Sequence, residues 1–512
     1  MESSINKQNK RTLFTLFTSM FAIVVTIATN FFLSPYIVET LGEEANGFTQ
    51  LANNFVNYAS LITVALNSMA GRFITLHYYK GNKEESNKFY SSVLIANLAI
   101  ICFLIIPAAI LLLKLENVIN IENTSVLYVK LLFSFVFGNF FLAQINSVLN
   151  IVTYVSNRQY IVNTINMTKT VLNALCLLLL FSVFAPKIYY VSLVAILLSA
   201  TTLPIYFFIS RKILPDLRIS FKCFSMKTIW KMLSAGIWNV ITQCGNILMT
   251  GMDLLLANLL VGPIGMGVLS VSKTMPNCIT QIAGHTSSSF SPNLTIAYAT
   301  GDPKEIEKSL RFSMKCSSIL VSIPIMVLCV YGKSFYTLWQ PTLDAALISS
   351  LSFWACVQFI PFAGPQVLNN VFTTTNKLKL PSLTVLVGGV INIIAVMLLL
   401  KFTSLNLFAI AATSAIISIV RNLTITVPYS AKVLNLKWYT FYKDVLISCL
   451  CCAINACFCI AFQFLITPTS WMKLILSVFL ACIFSLATIL AILLSRQEKR
   501  QIINKIRRKS NG

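Results

Sequence analysis

Stretches of 18 or more residues with almost no charge recur along this chain from one end to the other. A run of that length is what an α-helix needs to cross the hydrocarbon core of a bilayer, so the chain reads as a polytopic, all-α membrane protein. Only 11% of its 512 residues are charged, against about 25% in an ordinary soluble domain. Fourteen spans are expected, at 12–37, 45–70, 90–113, 125–154, 160–184, 188–210, 232–260, 264–292, 312–332, 345–372, 381–400, 405–428, 444–466 and 472–494. The second and eighth are the least apolar, because both carry many amides and hydroxyls. The first has no small-residue cleavage site and reads as a retained span, not a signal peptide.

Charge sets the orientation. Lys114, Lys130, Lys187, Lys333, Lys401 and Lys473 fall on one side, and Lys273 lies inside a span. All the other lysines and arginines lie at the termini and in the loops on the terminus side. That asymmetry predicts cytoplasmic N- and C-termini, as in a multi-pass protein of the bacterial plasma membrane. It also accounts for most of the net charge of +23, with attraction to anionic lipid headgroups as its plain consequence. No basic stretch belongs to a soluble module, so nucleic acid is not an expected partner. The 14 cysteines lie mostly singly in apolar runs and the histidines are only two, His77 and His285. No metal site is expected.

The chain is written twice. Residues 41–88 align with 261–308 without a gap, and Gly42, Gly47, Asn57, Ile62, Ser68, Thr75, Tyr78, Gly81, Glu85 and Lys88 meet identical residues. Asn150 likewise matches Asn370, and Asn173 matches Asn392 after a one-residue slip. Residues 1–220 and 221–440 are therefore expected to be two parallel six-helix bundles, with 441–512 adding two helices and a basic tail. The turns at Gly81-Asn82 and Gly301-Asp302 are expected to lead into helices capped by Asn82 or Asp302.

Polar residues inside spans are the informative ones, because a side-chain amide in lipid needs a partner or water. Span 2 carries Gln50, Asn53, Asn54, Asn57, Ser60 and Asn67 at helical spacing on one face. Its repeat mate carries Ser270, Lys273, Thr274, Asn277, Thr280 and Ser287 at the same positions. Asn239, Gln243, Asn246, Thr250 and Asp253 line one face of span 7. Ser19, Thr26 and Asn30 form a weaker face in span 1, and Gln144, Asn146, Asn150, Gln366, Asn369 and Asn370 add amides to spans 4 and 10. Such residues either bind helices together inside a bundle or line a water-filled cleft for a hydrophilic cargo. The duplicated stripes favour the cleft.

Asp253 and Lys273 each cost about 2.5–3.5 kcal/mol at mid-membrane. Two readings stand. They form a neutralising ion pair, or Lys273 attracts an anionic group while Asp253 takes a coupling sodium ion or proton. Arg72, Lys169 and Arg421 are either ordinary anchors or extra positive charge near the cytoplasmic mouth. Pro35, Pro276, Pro361 and Pro365 interrupt backbone hydrogen bonding in spans.

These features resemble the lipid-linked oligosaccharide flippases of polysaccharide biosynthesis, of the superfamily that also holds toxic-compound-extrusion multidrug exporters and lipid II flippases. The stretches that carry the likeness are Gly236-Ile-Trp-Asn, Gly245-Asn-Ile-Leu, Gly251-Met-Asp-Leu-Leu-Leu-Ala-Asn, Leu41-Gly42 with Gly47-Phe48, Phe290-Ser-Pro-Asn-Leu and Tyr298-Ala-Thr-Gly-Asp. The resemblance implies a V-shaped, alternating-access transporter with no catalytic residues and no cofactor. It would carry an undecaprenyl-pyrophosphate-linked glycan from the inner to the outer leaflet, for O-antigen, capsule or exopolysaccharide. Glycosyltransferases and a polysaccharide polymerase are the partners it implies. The alternatives are a cation-coupled multidrug exporter or a lipid II flippase of the same fold. A glycan polymerase or acyltransferase is more remote, because the outer loops are short and offer little beyond carboxylates.

Overall fold

The computed structural model describes residues 2–291, 294, 295, 298 and 303–493, and every element among them is helical. The chain starts with α1 (Glu2–Leu41), α2 (Glu43–Tyr79), α3 (Lys83–Leu113), the single turn α4 (Leu115–Val118) and α5 (Val126–Val155). It continues with α6 (Tyr160–Val183), α7 (Tyr190–Ile213), α8 (Met226–Asn246), α9 (Asp253–Leu260) and α10 (Pro263–Ser289). The later long helices are Pro303–Trp339, Lys379–Phe402, Leu407–Arg421, Tyr442–Leu465 and Trp471–Leu493.

Twelve helices among the described residues are long and apolar enough to cross a membrane. Two of the fourteen expected spans do not qualify. Helix α10 has the length, but its hydroxyls, its two amides and Lys273 keep it polar. The run 345–372 is broken. Its helix Ala345–Val357 has 13 residues and gives way to turns and a 3₁₀ stretch, Pro365–Leu368. Pro361 and Pro365 have no N–H to donate, which explains the break. Side chains cover carbonyls left over there: Ser448 donates to Ile360 O at 2.9 Å and Ser317 to Ala363 O at 2.8 Å. Pro35 and Pro276, by contrast, are accommodated inside α1 and α10.

By contact the chain forms two compact units, Met1–Val271 with Val385–Ile393, and Ser272–Thr384 with Ile394–Gly512. In the first, α2 packs along α8, α3 and α5, while α1 pairs with α6 and α5 with α7. The repeat is visible in its backbone. Gly42, between α1 and α2, has φ +87°, and its mate Gly262, before α10, has φ +121°. Both occupy a region that residues with a Cβ avoid. Five residues on, the mates Gly47 and Gly267 touch: a Cβ on Gly47 would lie 3.0 Å from Gly267 Cα. Beside them Asn46 Nδ2 donates to Ser270 Oγ at 2.8 Å, and Gln50 Nε2 donates to the carbonyl of its own mate, Ser270, at 3.2 Å. Gly81 makes the expected turn with φ +80°, and Asn82 caps α3 by accepting from Glu85 N–H. The corresponding Gly301 and Asp302, and parts of the Phe290 and Tyr298 stretches, lie outside the described residues.

In the second unit the helix Pro303–Trp339 is the spine, and hydroxyls and amides fasten the last two helices to it. Tyr331 shares a 2.7 Å hydrogen bond with Ser477, and Asn455 donates to Ser322 at 2.9 Å. Arg311 holds the near end, pairing with Asp444 at 3.1 Å and Glu307 at 2.8 Å and donating to Thr440 O.

Close approach at Gly267 gives a test. A Cβ there would sit 2.5 Å from Glu43 O, whereas one at Gly284 would meet nothing within 4 Å. Gly267→Val should destabilise the protein by about 1–3 kcal/mol through overpacking. Gly284→Ala should leave the melting temperature unchanged or slightly raised, both read on the purified protein in detergent.

Candidate functional site

The expected polar stripe of α2 divides into two kinds of residue. At its ends the amides are engaged. Gln50 bonds Ser270, and Asn67 belongs to a buried cluster in which it donates to Gln144 Oε1 at 2.9 Å and exchanges hydrogen bonds with Asn97 at 3.2 and 2.9 Å. Between them, Asn53 and Asn57 are exposed and Asn54 is half-buried. Asn53 reaches only its own helix, at Thr49 O, and no described residue hydrogen-bonds the side chains of Asn54 and Asn57. The neighbouring α8 has the same division. Asn239 donates to Ser68 Oγ at 3.1 Å, while Gln243 is half-buried and Asn246 exposed, neither with a side-chain hydrogen bond among the described residues.

What brings these faces together is the absence of side chains where the helices cross. A Cβ on Gly236 would stand 2.2 Å from Ala65 O, so the α8 and α2 backbones meet there without an intervening side chain. Further along, Gly245 lies against the backbone of Val385 and Leu386, and Gly389 against Gly245 O and Leu248.

Between α8 and α9 the helix widens into a π-turn, Ile247–Gly251, closed by Met252 N–H donating to Ile247 O at 2.9 Å. A π-turn leaves carbonyls without their usual donors, and such turns recur at functional sites. Two side chains from other helices supply the donors here. Asn392 Nδ2 donates to Leu248 O at 3.2 Å and Met249 O at 3.0 Å, and Tyr58 OH donates to Gly251 O at 2.7 Å. Asp253 follows at once, 1% exposed, in the first turn of α9, where the helix dipole favours a negative charge.

The remaining expected residues are spread more widely. Lys273 is half-buried near the start of the second unit, and Asn277, one turn on, is exposed. Asn370 donates to Ser287 O at 2.8 Å, so positions 67 and 287, which are repeat mates, both anchor to the partly buried amides of a neighbouring segment. Asn150 is half-buried, with its Oδ1 enclosed and without a hydrogen bond. Arg72 is exposed at the far end of α2. Lys169 donates to Ser199, which in turn donates to Asn139, and Arg421 bonds Asn422. Sequence reasoning missed Tyr58, Asn97 and the task of Asn392. The available signal for Asn97 and Asn392 was an amide in an otherwise apolar stretch of helix; Tyr58 offered none.

The family described as "Polysaccharide biosynthesis protein" matches residues 15–292. The chain belongs to that family. Over 496 residues it is 29% identical to a protein of Bacillus subtilis (strain 168) described as uncharacterized membrane protein EpsK, a match spanning 96% of this chain and 97% of EpsK. Among solved structures, it is similar to the lipid II flippase MurJ in an inward closed conformation. The TM-score is 0.63 with 14% identity, over 94% of this chain and 99% of that one. It is also similar to an inward-facing multidrug resistance MATE family transporter of the MOP superfamily, with a TM-score of 0.60 and 15% identity over 83% and 98% of the two chains. At these identities the likeness is one of fold. The protein is thus a multi-pass membrane protein of the polysaccharide biosynthesis family with the fold of MOP-superfamily transporters.

The π-turn yields a second test. Asn392→Leu strips two carbonyls of their donor and should cost about 1–3 kcal/mol. Asn173→Leu removes an amide whose Oδ1 has no hydrogen bond, and should cost clearly less in the same thermal unfolding experiment.

Proposed function

We propose that this protein carries a polyprenyl-pyrophosphate-linked oligosaccharide, most simply the undecaprenyl-linked repeat unit of a surface polysaccharide, from the inner to the outer leaflet of the plasma membrane. The observation that supports this best is the bare amide face formed by Asn53, Asn54 and Asn57 of α2 and by Gln243 and Asn246 at the C-terminal end of α8. Among the described residues these side chains hold nothing together between helices. An amide facing hydrocarbon without a partner is costly, so their place is against water or a hydroxyl-rich cargo. A sugar chain presents donors and acceptors that an amide meets without carrying charge. The lipid tail stays in the bilayer while the glycan and pyrophosphate cross, and membership of the polysaccharide biosynthesis family supports the same cargo class.

In this reading the halves 1–220 and 221–440 alternate access, both termini are cytoplasmic, and Lys273, Asn277, Asn150 and Asn370 are further candidates for contact with the cargo. Lys273 favours the pyrophosphate, and Asp253 is the residue through which a sodium ion or proton couples. Glycosyltransferases and a polymerase act before and after this step.

Transport is measured on the full chain in vesicles, with a fluorescent polyprenyl-pyrophosphate oligosaccharide and a membrane-impermeant quencher. Asn57→Leu and Gln243→Leu should each lower the rate about tenfold with no loss of thermal stability, whereas Asn67→Leu should lower both. Unchanged rates in the first two variants would remove these amides from the path. For coupling, Asp253→Asn should abolish the dependence of rate on a sodium or proton gradient. Full gradient dependence in that variant would exclude Asp253.

A further inference from the structure

A second polar site lies away from the amide face, where the linker that precedes α8 folds back onto α3. The linker is pinned there. Arg218 N–H donates to Asn87 Oδ1 at 2.9 Å, Ser220 N–H to Ser91 Oγ at 3.1 Å and Ser225 N–H to Ser92 Oγ at 3.0 Å. Asp216 pairs with Lys83 at 2.7 Å. The folded linker, the start of α3, the start of α8 and the end of α2 enclose a cavity of about 370 Å³. Its charged lining consists of Lys88, Lys222, Lys227 and Lys231, with His77 and a single carboxylate, Glu85.

Three features suit this cavity to a phosphate. The first is charge: four ammonium groups converge on it. Lys88 lies 3.5 Å from Glu84 and 3.9 Å from Glu85, while no ion pair to Lys222, Lys227 or Lys231 is made among the described residues. The second is preorganisation. Phe73 and Phe89 stack at 5.2 Å, His77 stacks on Phe89 at 5.0 Å, and Lys231 Nζ lies 5.5 and 5.8 Å from the two phenyl centroids. Lys231 is thereby held by cation–π contact, with its N–H groups still available. The third is the N-terminus of α8, a helix of 21 residues that begins in the lining at Ser225 to Thr228 and adds its positive dipole end.

The surroundings identify the carrier of the phosphate. Phe221 is 76% exposed and Trp230 66%, and Phe224 and Met226 are exposed as well. They alternate with the lysines along the linker and first turns of α8. Apolar side chains left bare beside basic ones are the pattern of a segment lying at a lipid–water boundary. Soluble phosphate would leave them uncovered, whereas acyl chains cover them.

We propose that this cavity is a binding site for the phosphate of an anionic phospholipid headgroup, separate from the path of the transported glycan. The lipid would fix the linker between the repeats, and so the start of α8, to the leaflet it faces.

The test uses the purified full chain and native mass spectrometry with phosphatidylglycerol, phosphatidylcholine of the same acyl chains, and inorganic pyrophosphate. The wild type should bind phosphatidylglycerol about tenfold or more tightly than K222Q/K227Q/K231Q does, given about fivefold per lysine at a membrane surface. K377Q/K379Q/K432Q, which removes equal charge from exposed positions elsewhere in the chain, should match the wild type. Should the first triple variant not fold, the single K227Q, at an exposed position, should still weaken phosphatidylglycerol about threefold, and no weakening would overturn the proposal. Equal losses in both triple variants would reduce the effect to net charge and overturn it. Wild type binding phosphatidylcholine as tightly as phosphatidylglycerol, or pyrophosphate as tightly as the lipid, would overturn the assignment to an anionic lipid.

Discussion

Inside a bilayer there is no water to satisfy a stray donor or acceptor, so each departure from regular helix has to be answered by a side chain from elsewhere in the protein. That constraint organises this molecule. Where prolines interrupt the run after Val357, Ser317 and Ser448 reach the exposed carbonyls. Where the π-turn opens before Asp253, Asn392 and Tyr58 do so. Some of the polar residues buried in the helices thus answer local breaks, while others, such as Tyr331 with Ser477 and Asn455 with Ser322, fasten one helix to the next. The amides left over from this task are the ones that attract a functional reading.

Much of the fold was legible from hydropathy alone, because a membrane span is defined by length and composition, which are properties of the sequence. The match of Gly42 with Gly262 was legible too, although the positive φ that both adopt was not. The exceptions have physical causes. The eighth expected span is a helix whose hydroxyls and lysine make it too polar to be recognised by hydropathy. The tenth has enough apolar residues but is divided by Pro361 and Pro365. The π-turn had no sequence signature, since it depends on which helix lies alongside. For the candidate site, a period of 3.6 put Gln50 through Asn67 on one face. It could not separate Asn67, which is used up by Asn97 and Gln144, from Asn57, which is not. That distinction depends on partners far away in the sequence.

The two polar regions differ in chemistry. The face formed by α2 and the end of α8 offers amides, which suit neutral hydroxyls. The cavity under the linker offers ammonium groups on an aromatic floor, which suit a compact anion. Both involve α8, one at its C-terminal end and one at its start.

The contact of Gly47 with Gly267, and of Gln50 with Ser270, joins each residue to its own counterpart. In a symmetric dimer such positions lie on the two-fold axis, where one residue meets a second copy of itself. There a single mutation changes both sides of the contact at once, so a larger residue clashes with its own image. Once the two copies are one chain, the sides vary separately. Gln50 facing Ser270 is a pairing that no symmetric assembly of identical chains permits, and the bundle retains the small, close contact of Gly47 and Gly267 beside it.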